Sequence, residues 1–249
     1  MNKDWTVVPD IHGRKFWRSA LKGREDGNIV FLGDYLDPYP WEEITPGDSY
    51  RELRAVIEFK RAHMDNVVLL MGNHDLGYLD PSICGCRRDV YGAERNRRLL
   101  LDNLDLFELA HVAEADGQKV LFTHAGIRES WVRTNSGIFD QGEFDPTVLN
   151  TMLHDPERRD ALFAALSQVS EYRGGYDPLS SPVWTDAQEF IDSGDFLPGY
   201  LHVFGHTLHR GGPILIKAEQ GCGWCMDCAE AFRMDHTGAM HYLDETEKG

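Results

Sequence analysis

The chain has 249 residues and is 42% apolar, enough to bury a core and too apolar for a disordered chain. Acidic residues outnumber basic ones by 41 to 25, and the resulting net charge of −16 repels a polyanion such as duplex DNA over most of the surface. No apolar run approaches the roughly 18 residues that span a bilayer, and MNKDWTVVPD lacks the basic region and long apolar stretch of a signal peptide, so a soluble cytoplasmic protein is expected.

In chain order, TVVPDIHG (6–13) and NIVFLGDYLD (28–37) are short β-rich apolar runs that end in Gly, Asp or His. SYRELRAVIEFKRAH (49–63) follows, with Leu53, Val56, Ile57 and Phe59 recurring at helical spacing among charges, and predicts an amphipathic helix. NVVLLMGNHD (66–75) repeats the strand pattern. Strand, helix, strand predicts a right-handed crossover with parallel strands, and continuous apolar runs of this length suit strands buried on both faces. Residues 76–118 read as largely helical, and KVLFTHAGI (119–127) is a fourth strand. Residues 143–170 read as helical again, with Pro146 at a first helical position. The loop RGGYDPLSSP (173–182) leads to a fifth strand, LHVFGHT (201–207). PILIK, EAFRMD and AMHYLDE read as further strands, with turns at Gly211–Gly212 and at His236-Thr237-Gly238. No repeat, low-complexity tract or linker divides the chain. A single domain over 1–249 is expected, with helical insertions near 76–118 and 129–182.

The five cysteines are Cys84, Cys86, Cys222, Cys225 and Cys228, an odd number that does not suit a secreted disulfide framework. The C-x-x-C-x-x-C run admits a zinc or iron–sulfur site, with Cys84 or Cys86 folding across as a fourth ligand, or a set of reduced structural thiols.

Ligands of open α/β sheets bind beyond the carboxyl ends of strands, and every run above ends there in metal-ligand or proton-transfer residues. They are Asp10 and His12, then Asp34 and Asp37, then Asn73, His74 and Asp75, then His124, and lastly His206. Gly33, Gly72 and Gly205 stand before Asp34, Asn73 and His206, where glycine permits close backbone approach. One such residue is an ordinary turn or a hydrogen-bonded structural side chain; five strand ends in succession are not. Carboxylate, imidazole and amide together suit Mn²⁺, Fe²⁺ or Zn²⁺. Six such residues are enough for two ions that share a carboxylate, the arrangement used on phosphate esters.

The ordered set DIHG, GDYLD, GNHD, THAG and FGHT, with PVWTDA (182–187), resembles the calcineurin-like metallophosphoesterases over roughly residues 6–225. It looks most like the phosphoprotein-phosphatase branch, which includes bacterial serine/threonine phosphatases and diadenosine tetraphosphatases. The resemblance implies an α/β fold, a four-layer αββα sandwich with two mixed sheets. It assigns Asp10, His12 and the shared Asp34 to the first metal, and Asp34, Asn73, His124 and His206 to the second. It makes His74 the general acid, oriented by Asp37, with a metal-bridging hydroxide as nucleophile. Two divalent ions are implied, Mn²⁺ first and Fe or Zn as alternatives. A phosphorylated protein or a small phosphorylated molecule is the implied partner, with no nucleic acid duplex and no membrane.

The chain departs from the family twice. His206 is followed by Thr207 and Leu208 rather than by a second metal histidine, and His209 falls one place too far along, which favours the phosphatase branch over the nucleases. Pro38 stands where the branch carries a phosphate-clamping arginine. Arg128 is the first candidate to replace that clamp, with Arg87, Arg88 and Arg173 behind it, because a guanidinium grips phosphate with a planar fork. Tyr35, Tyr39 and Trp41 could form an aromatic lip or simply pack. Phosphoserine or phosphothreonine is the leading substrate. The alternatives are a nucleotide anhydride such as diadenosine tetraphosphate, and a metal-binding regulatory protein whose catalytic site has decayed.

Overall fold

The computed structural model describes residues 4–83, 87–140 and 144–243. The chain runs through β1 (Trp5–Val8), α1 (Phe16–Leu21), β2 (Asn28–Phe31), α2 (Pro46–Ala62), β3 (Val67–Leu70) and α3 (Asn73–Leu79). It continues with α4 (Ala93–Leu101), β4 (Phe107–Glu108), β5 (Ala110–Ala115), β6 (Gln118–Thr123) and α5 (Glu129–Thr134). Then come α6 (Val148–His154), α7 (Pro156–Leu166), α8 (Ala187–Ser193), β7 (Leu201–Phe204), β8 (Ile214–Lys217), β9 (Cys222–Cys225), β10 (Phe232–Met234) and β11 (Met240–Tyr242).

Two mixed sheets form. One has six strands in the order β11-β10-β1-β2-β3-β4, the other five in the order β5-β6-β7-β9-β8. β1 to β4 are parallel in the first, and β6, β7 and β9 are parallel in the second. The alternation of strand side chains explains why their apolar runs are continuous. Val7, Val30, Val68 and Leu70 face inward and meet Val120, Phe122, Leu201 and Val203 of the other sheet. Their neighbours Val8, Ile29, Phe31, Val67 and Leu69 face outward onto Trp17 and Leu21 of α1 and Leu53, Val56 and Ile57 of α2. On the far side Phe190 of α8 packs with Phe196, Phe204, Ile216 and Cys225. The layers are therefore helix, sheet, sheet, helix. Among the described residues, no helix is long and apolar enough to cross a membrane.

Helix α2 begins three residues before the apolar periodicity does, because Thr45 caps it and Pro46 occupies its first turn. Two other stretches differ from expectation. Among the described residues of 76–118, helix is confined to α3, α4 and a single 3-10 turn at Leu104–Leu106, since Leu69 pairs with Phe107 and residues 110–115 form a hairpin with β6. The Asp116-Gly117 turn, with both residues at positive φ, closes that hairpin. The helix expected over 143–170 is two helices, and Pro146 lies before the first of them; Pro156 starts the second, capped by Asp155, whose carboxylate accepts from the Glu157 N–H.

Cys222 and Cys225 sit on β9 three residues apart, so their side chains leave opposite faces of the sheet. Cys222 packs between the sheets, while Cys225 packs under α8. The two cannot converge on one ion, and both read as reduced thiols within a strand. Cys84 and Cys86 lie outside the described residues.

Candidate metal centre

The polar residues converge at the carboxyl ends of β1, β2 and β3 in one sheet and of β6 and β7 in the other. The loops turn sharply there: His12, Asp34, Asp37 and His206 all have positive φ, between 46° and 65°. Residues other than glycine rarely sit in that region, and tight packing holds them there. All four are buried. The glycines make room for the carboxylates. A Cβ on Gly72 would fall 2.1 Å from Asp34 Oδ1, and one on Gly205 would fall 2.2 Å from Asp10 Oδ1.

Two ligand-type sets share Asp34. Asp10, His12 and Asp34 form one, and Asp34, His124 and His206 the other, with one ligand atom from each residue lying within 4.8 Å of the rest of its set. Asn73 joins the second set, its Oδ1 3.1 Å from His124 Nε2. The imidazoles are aimed from behind. Nδ1 of His12 donates to the Leu36 carbonyl at 2.7 Å, and Nδ1 of His124 donates to the Leu32 carbonyl at 2.8 Å. That fixes the lone pair on Nε2 in both, the tautomer a metal ligand needs.

The donor set fits cations. Nε2 of His124 faces Asn73 Oδ1 at 3.1 Å, His206 Nδ1 at 3.1 Å and Asp34 Oδ2 at 3.5 Å. Nε2 of His12 faces Asp34 Oδ2 at 3.6 Å. So many lone pairs pointed at one another repel unless a positive charge stands between them. Burial holds His12 and His206 well below the usual imidazole range. Burial lifts the Asp10 carboxyl to about 6, against the pull of His124 and with a further push from Asp34. Burial acts the same way on Asp34, but His124, His74 and His12 outweigh it and bring its carboxyl down to about 2.

His74 stands beside these sets, its ring 5.2 Å from that of His12. Its Nδ1 donates to Asp37 Oδ2 at 2.9 Å, and the other oxygen of Asp37 accepts from the Tyr78 hydroxyl at 2.5 Å and the Asp89 N–H at 3.3 Å. Asp75 braces the loops: its carboxylate accepts from the N–H groups of Asp34, Tyr35 and Gly72 at 2.8–3.0 Å. One run, Asn73-His74-Asp75, thus supplies a ligand-type amide, an imidazole paired with a buried carboxylate and a structural brace.

The arginines sort by position. Arg87 Nη2 donates to His74 Nε2 at 3.0 Å, its Nη1 donates to the Asp37 carbonyl at 3.0 Å, and its guanidinium lies 3.8 Å over the Tyr39 ring. Arg128 is instead held by Glu189 at 2.7 Å and Asp195 at 3.0 Å, and it lines a cleft with Tyr172, Tyr176 and Asp177 that none of the ligand-type residues line. Arg88 lies 5.1 Å over Tyr78. Arg173 pairs with Asp186 at 2.8 Å and donates to the His206 carbonyl at 3.2 Å and to Thr207 Oγ1 at 2.9 Å, so the PVWTDA segment braces the His206 loop. Trp184 adds an edge contact to the His206 ring at 5.6 Å.

Tyr35 is core, its hydroxyl bonded to the Leu70 carbonyl at 2.9 Å. Tyr39 meets the edge of His12 at 5.0 Å and stacks on Trp41 at 4.5 Å, and Trp41 is 71% exposed, so these two form the lip. His209 donates to the Cys225 carbonyl at 3.2 Å. Tyr78, Asp89, Arg14 and Asp227 are the neighbours that sequence reasoning missed. Tyr78, Asp89 and Asp227 lie outside the quoted motifs, and Arg14, just after DIHG, carries no ligand chemistry that would single it out.

A family model for calcineurin-like phosphoesterases matches residues 6–210. No curated protein matches the sequence. Among solved structures, a variant of a cold-active protein tyrosine phosphatase is similar at a TM-score of 0.53 and 16% identity, over 98% of this chain and 81% of that one. A protein serine/threonine phosphatase from Saccharomyces cerevisiae is similar at 0.48 and 16% identity, over 94% of this chain and 73% of that one.

Proposed function

The chain belongs to the calcineurin-like phosphoesterases, a family of phosphoric ester hydrolases, and on that premise we propose that it is a phosphatase acting on phosphomonoesters, phosphoserine and phosphothreonine first. The His74–Asp37 pair, 2.9 Å apart and set against two ligand-type sets that share Asp34, is the observation that carries this reading. A protein that only stored metal would have no use for a buried acid–base dyad.

Asp10, His12 and Asp34 would hold one divalent ion and Asp34, Asn73, His124 and His206 the other, with Mn²⁺ the leading choice. Ions bound there would supply positive charge against the phosphoryl oxygens and lower the pKa of the attacking water. The chain's own residues do the rest. Asp37 fixes the His74 ring through Nδ1, which leaves Nε2 to carry a proton. That proton passes to the alcohol oxygen as its bond to phosphorus breaks. The imidazole regains a proton from solvent, and one water is consumed overall.

Arg87 takes the part of the arginine absent at Pro38. It stacks on Tyr39, next in sequence to that proline, and it already points one N–H at the reacting end of His74. A phosphoryl oxygen arriving there accepts Nη2 and frees His74 Nε2 for its proton, so binding arms the acid. The whole chain acts as one catalytic unit, since the ligand-type residues run from Asp10 to His206. The free thiols Cys222, Cys225 and Cys228 suit a cytoplasmic location.

The lip favours a second reading. Trp41 is exposed and stacked on Tyr39, a platform on which the adenine of a dinucleotide could lie. Metal-stripped protein given Mn²⁺ back separates the two. Phosphate release from phosphoserine and phosphothreonine peptides above that from a phosphotyrosine peptide supports the proposal. Nucleoside diphosphate formed from diadenosine tetraphosphate at a higher rate replaces it with the second reading. Inactivity on all of them, with metal bound, removes both.

A further inference from the structure

Asp227 is fully buried, and neither carboxylate oxygen has a hydrogen-bond partner. No other carboxylate among the described residues has both oxygens in that state. A buried polar group without a partner is costly, and a buried charge more so, which calls for an unseen water, ion or proton.

The topology says where this carboxylate stands. β9 runs parallel to β7, with Phe204 opposite Cys225, and the Met226 N–H donates to the Phe204 carbonyl at 2.8 Å beyond the end of β9. There the ladder stops, the His206 N–H turning to the Asp10 carboxylate at 3.1 Å; Asp227 lies two residues past Cys225 as His206 lies two past Phe204. The N–H of His209 donates to the Asp227 carbonyl at 2.9 Å and ties the two loops together. Asp227 is thus a sixth strand end at the metal centre, and its sequence neighbours hid it among cysteines.

Its charge environment agrees. Burial above all, and then the carboxylate of Asp10, push the Asp227 carboxyl well above the usual range, with Arg14 pulling the other way, Asp34 pushing and Arg173 pulling. Both arginines are engaged elsewhere, Arg14 with Glu42 at 2.7 Å and the Asp10 carbonyl at 3.2 Å, Arg173 with Asp186 at 2.8 Å. Neither quenches Asp227. The set on the Asp10 side is also the poorer one, with Asp10, His12 and Asp34 against Asp34, Asn73, His124 and His206.

We propose that Asp227 is a further carboxylate of the metal centre, anchoring the ion of the Asp10–His12–Asp34 set through one intervening water. Its oxygens are not among the atoms that lie within 4.8 Å of one another in that set, so it is not one of that set's direct ligand-type residues. The inference rests on the dinuclear reading given above.

Equilibrium dialysis of wild type and Asp227→Asn against Mn²⁺, with melting curves of the metal-free and loaded forms, tests it. Wild type should take up two ions per chain. The variant should bind one of them at least tenfold more weakly and the other unchanged. The gain in Tm on adding Mn²⁺ should be smaller for Asp227→Asn than for wild type. Unchanged affinity for both ions, with the two forms of the variant shifted equally in Tm, would overturn the inference and leave the dinuclear reading standing. Fewer than two ions on wild type would overturn both. Should Asp227→Asn fail to fold, Asp227→Glu decides: altered affinity for one ion supports the proposal, and wild-type affinity for both sinks it.

Discussion

Strands β7 and β9 carry polar residues both in their bodies and at their carboxyl ends, and the two positions behave differently. His202, in the body of β7, is fully buried, donates to the Leu197 carbonyl at 2.9 Å and packs beside Phe196 at 5.1 Å. His206, past the end of the same strand, turns through a positive φ of 65° into the candidate metal centre. Cys222 and Cys225 fill apolar layers from the body of β9, and Asp227, past its end, stays buried without a partner. Residue type alone does not assign a role here. In a strand body the sheet's two faces dictate where a side chain goes, whereas beyond the last ladder bond the chain can aim it.

Substitutions at the ends and in the bodies should therefore read out differently. Asp34→Asn should have the largest effect, since Asp34 belongs to both sets: neither ion should be retained at Mn²⁺ concentrations that saturate wild type, and turnover should vanish with them. Two tightly held ions in that variant would break the bridging assignment. His74→Asn should lower kcat by roughly 10²–10⁴-fold, as expected for a lost general acid, with metal content unchanged by elemental analysis. If the ions left with the imidazole, His74 would be a ligand rather than an acid.

Arg87→Ala should lose at least about tenfold in kcat/KM, about 1.4 kcal/mol. Arg128→Ala sharpens the contrast, because it would strand Glu189 and Asp195 and so lower Tm first. Equal kinetic losses with equal Tm would show that neither arginine is the grip. For a strand body the readout is stability against pH. Burial holds His202 down to about 4 from an ordinary 6.5. The unfolded chain takes up a proton before the folded one, so stability falls as pH drops from about 6.5 towards 4, by a few kcal/mol at about 1.4 kcal/mol per pH unit. His202→Gln should flatten that slope between pH 7 and 4 without touching activity at pH 7. Parallel slopes would mean that the imidazole is not what the fold keeps neutral.

The strand ends were legible because each joins an apolar run to a polar cluster within a few residues, as in NVVLLMGNHD. That local signal located Asp10, His12, Asp34, Asn73, His74, His124 and His206 at one place in the fold. What escaped depends on distant pairing. AHVAEA favours helix by composition and becomes β5 only because β6 pairs with it, although Asp116-Gly117 between them is a hairpin signal. The C-x-x-C-x-x-C run leaves metal site and plain thiols both open in the sequence, until β7 and β8 flank CGWC and alternation parts its thiols. Arg87 stands 13 residues beyond His74, and only the turn after α3 brings it back onto that ring.

The ligand-type residues come from two sheets. Asp10, His12, Asp34 and Asn73 follow strands of one, and His124 and His206 follow strands of the other. Protein bonds already cross the same seam, from His124 to the Leu32 carbonyl at 2.8 Å and from the His206 N–H to Asp10 at 3.1 Å. An ion held there would rivet the halves of the molecule together, and at a hundredfold excess over its Kd it would add about 2.7 kcal/mol to the folded state. Scarcity of metal would then do more than slow the reaction. It would open the seam, expose the apolar layer between the sheets and shorten the lifetime of the protein, so that supply of the ion governs how many molecules exist as well as how fast each one works.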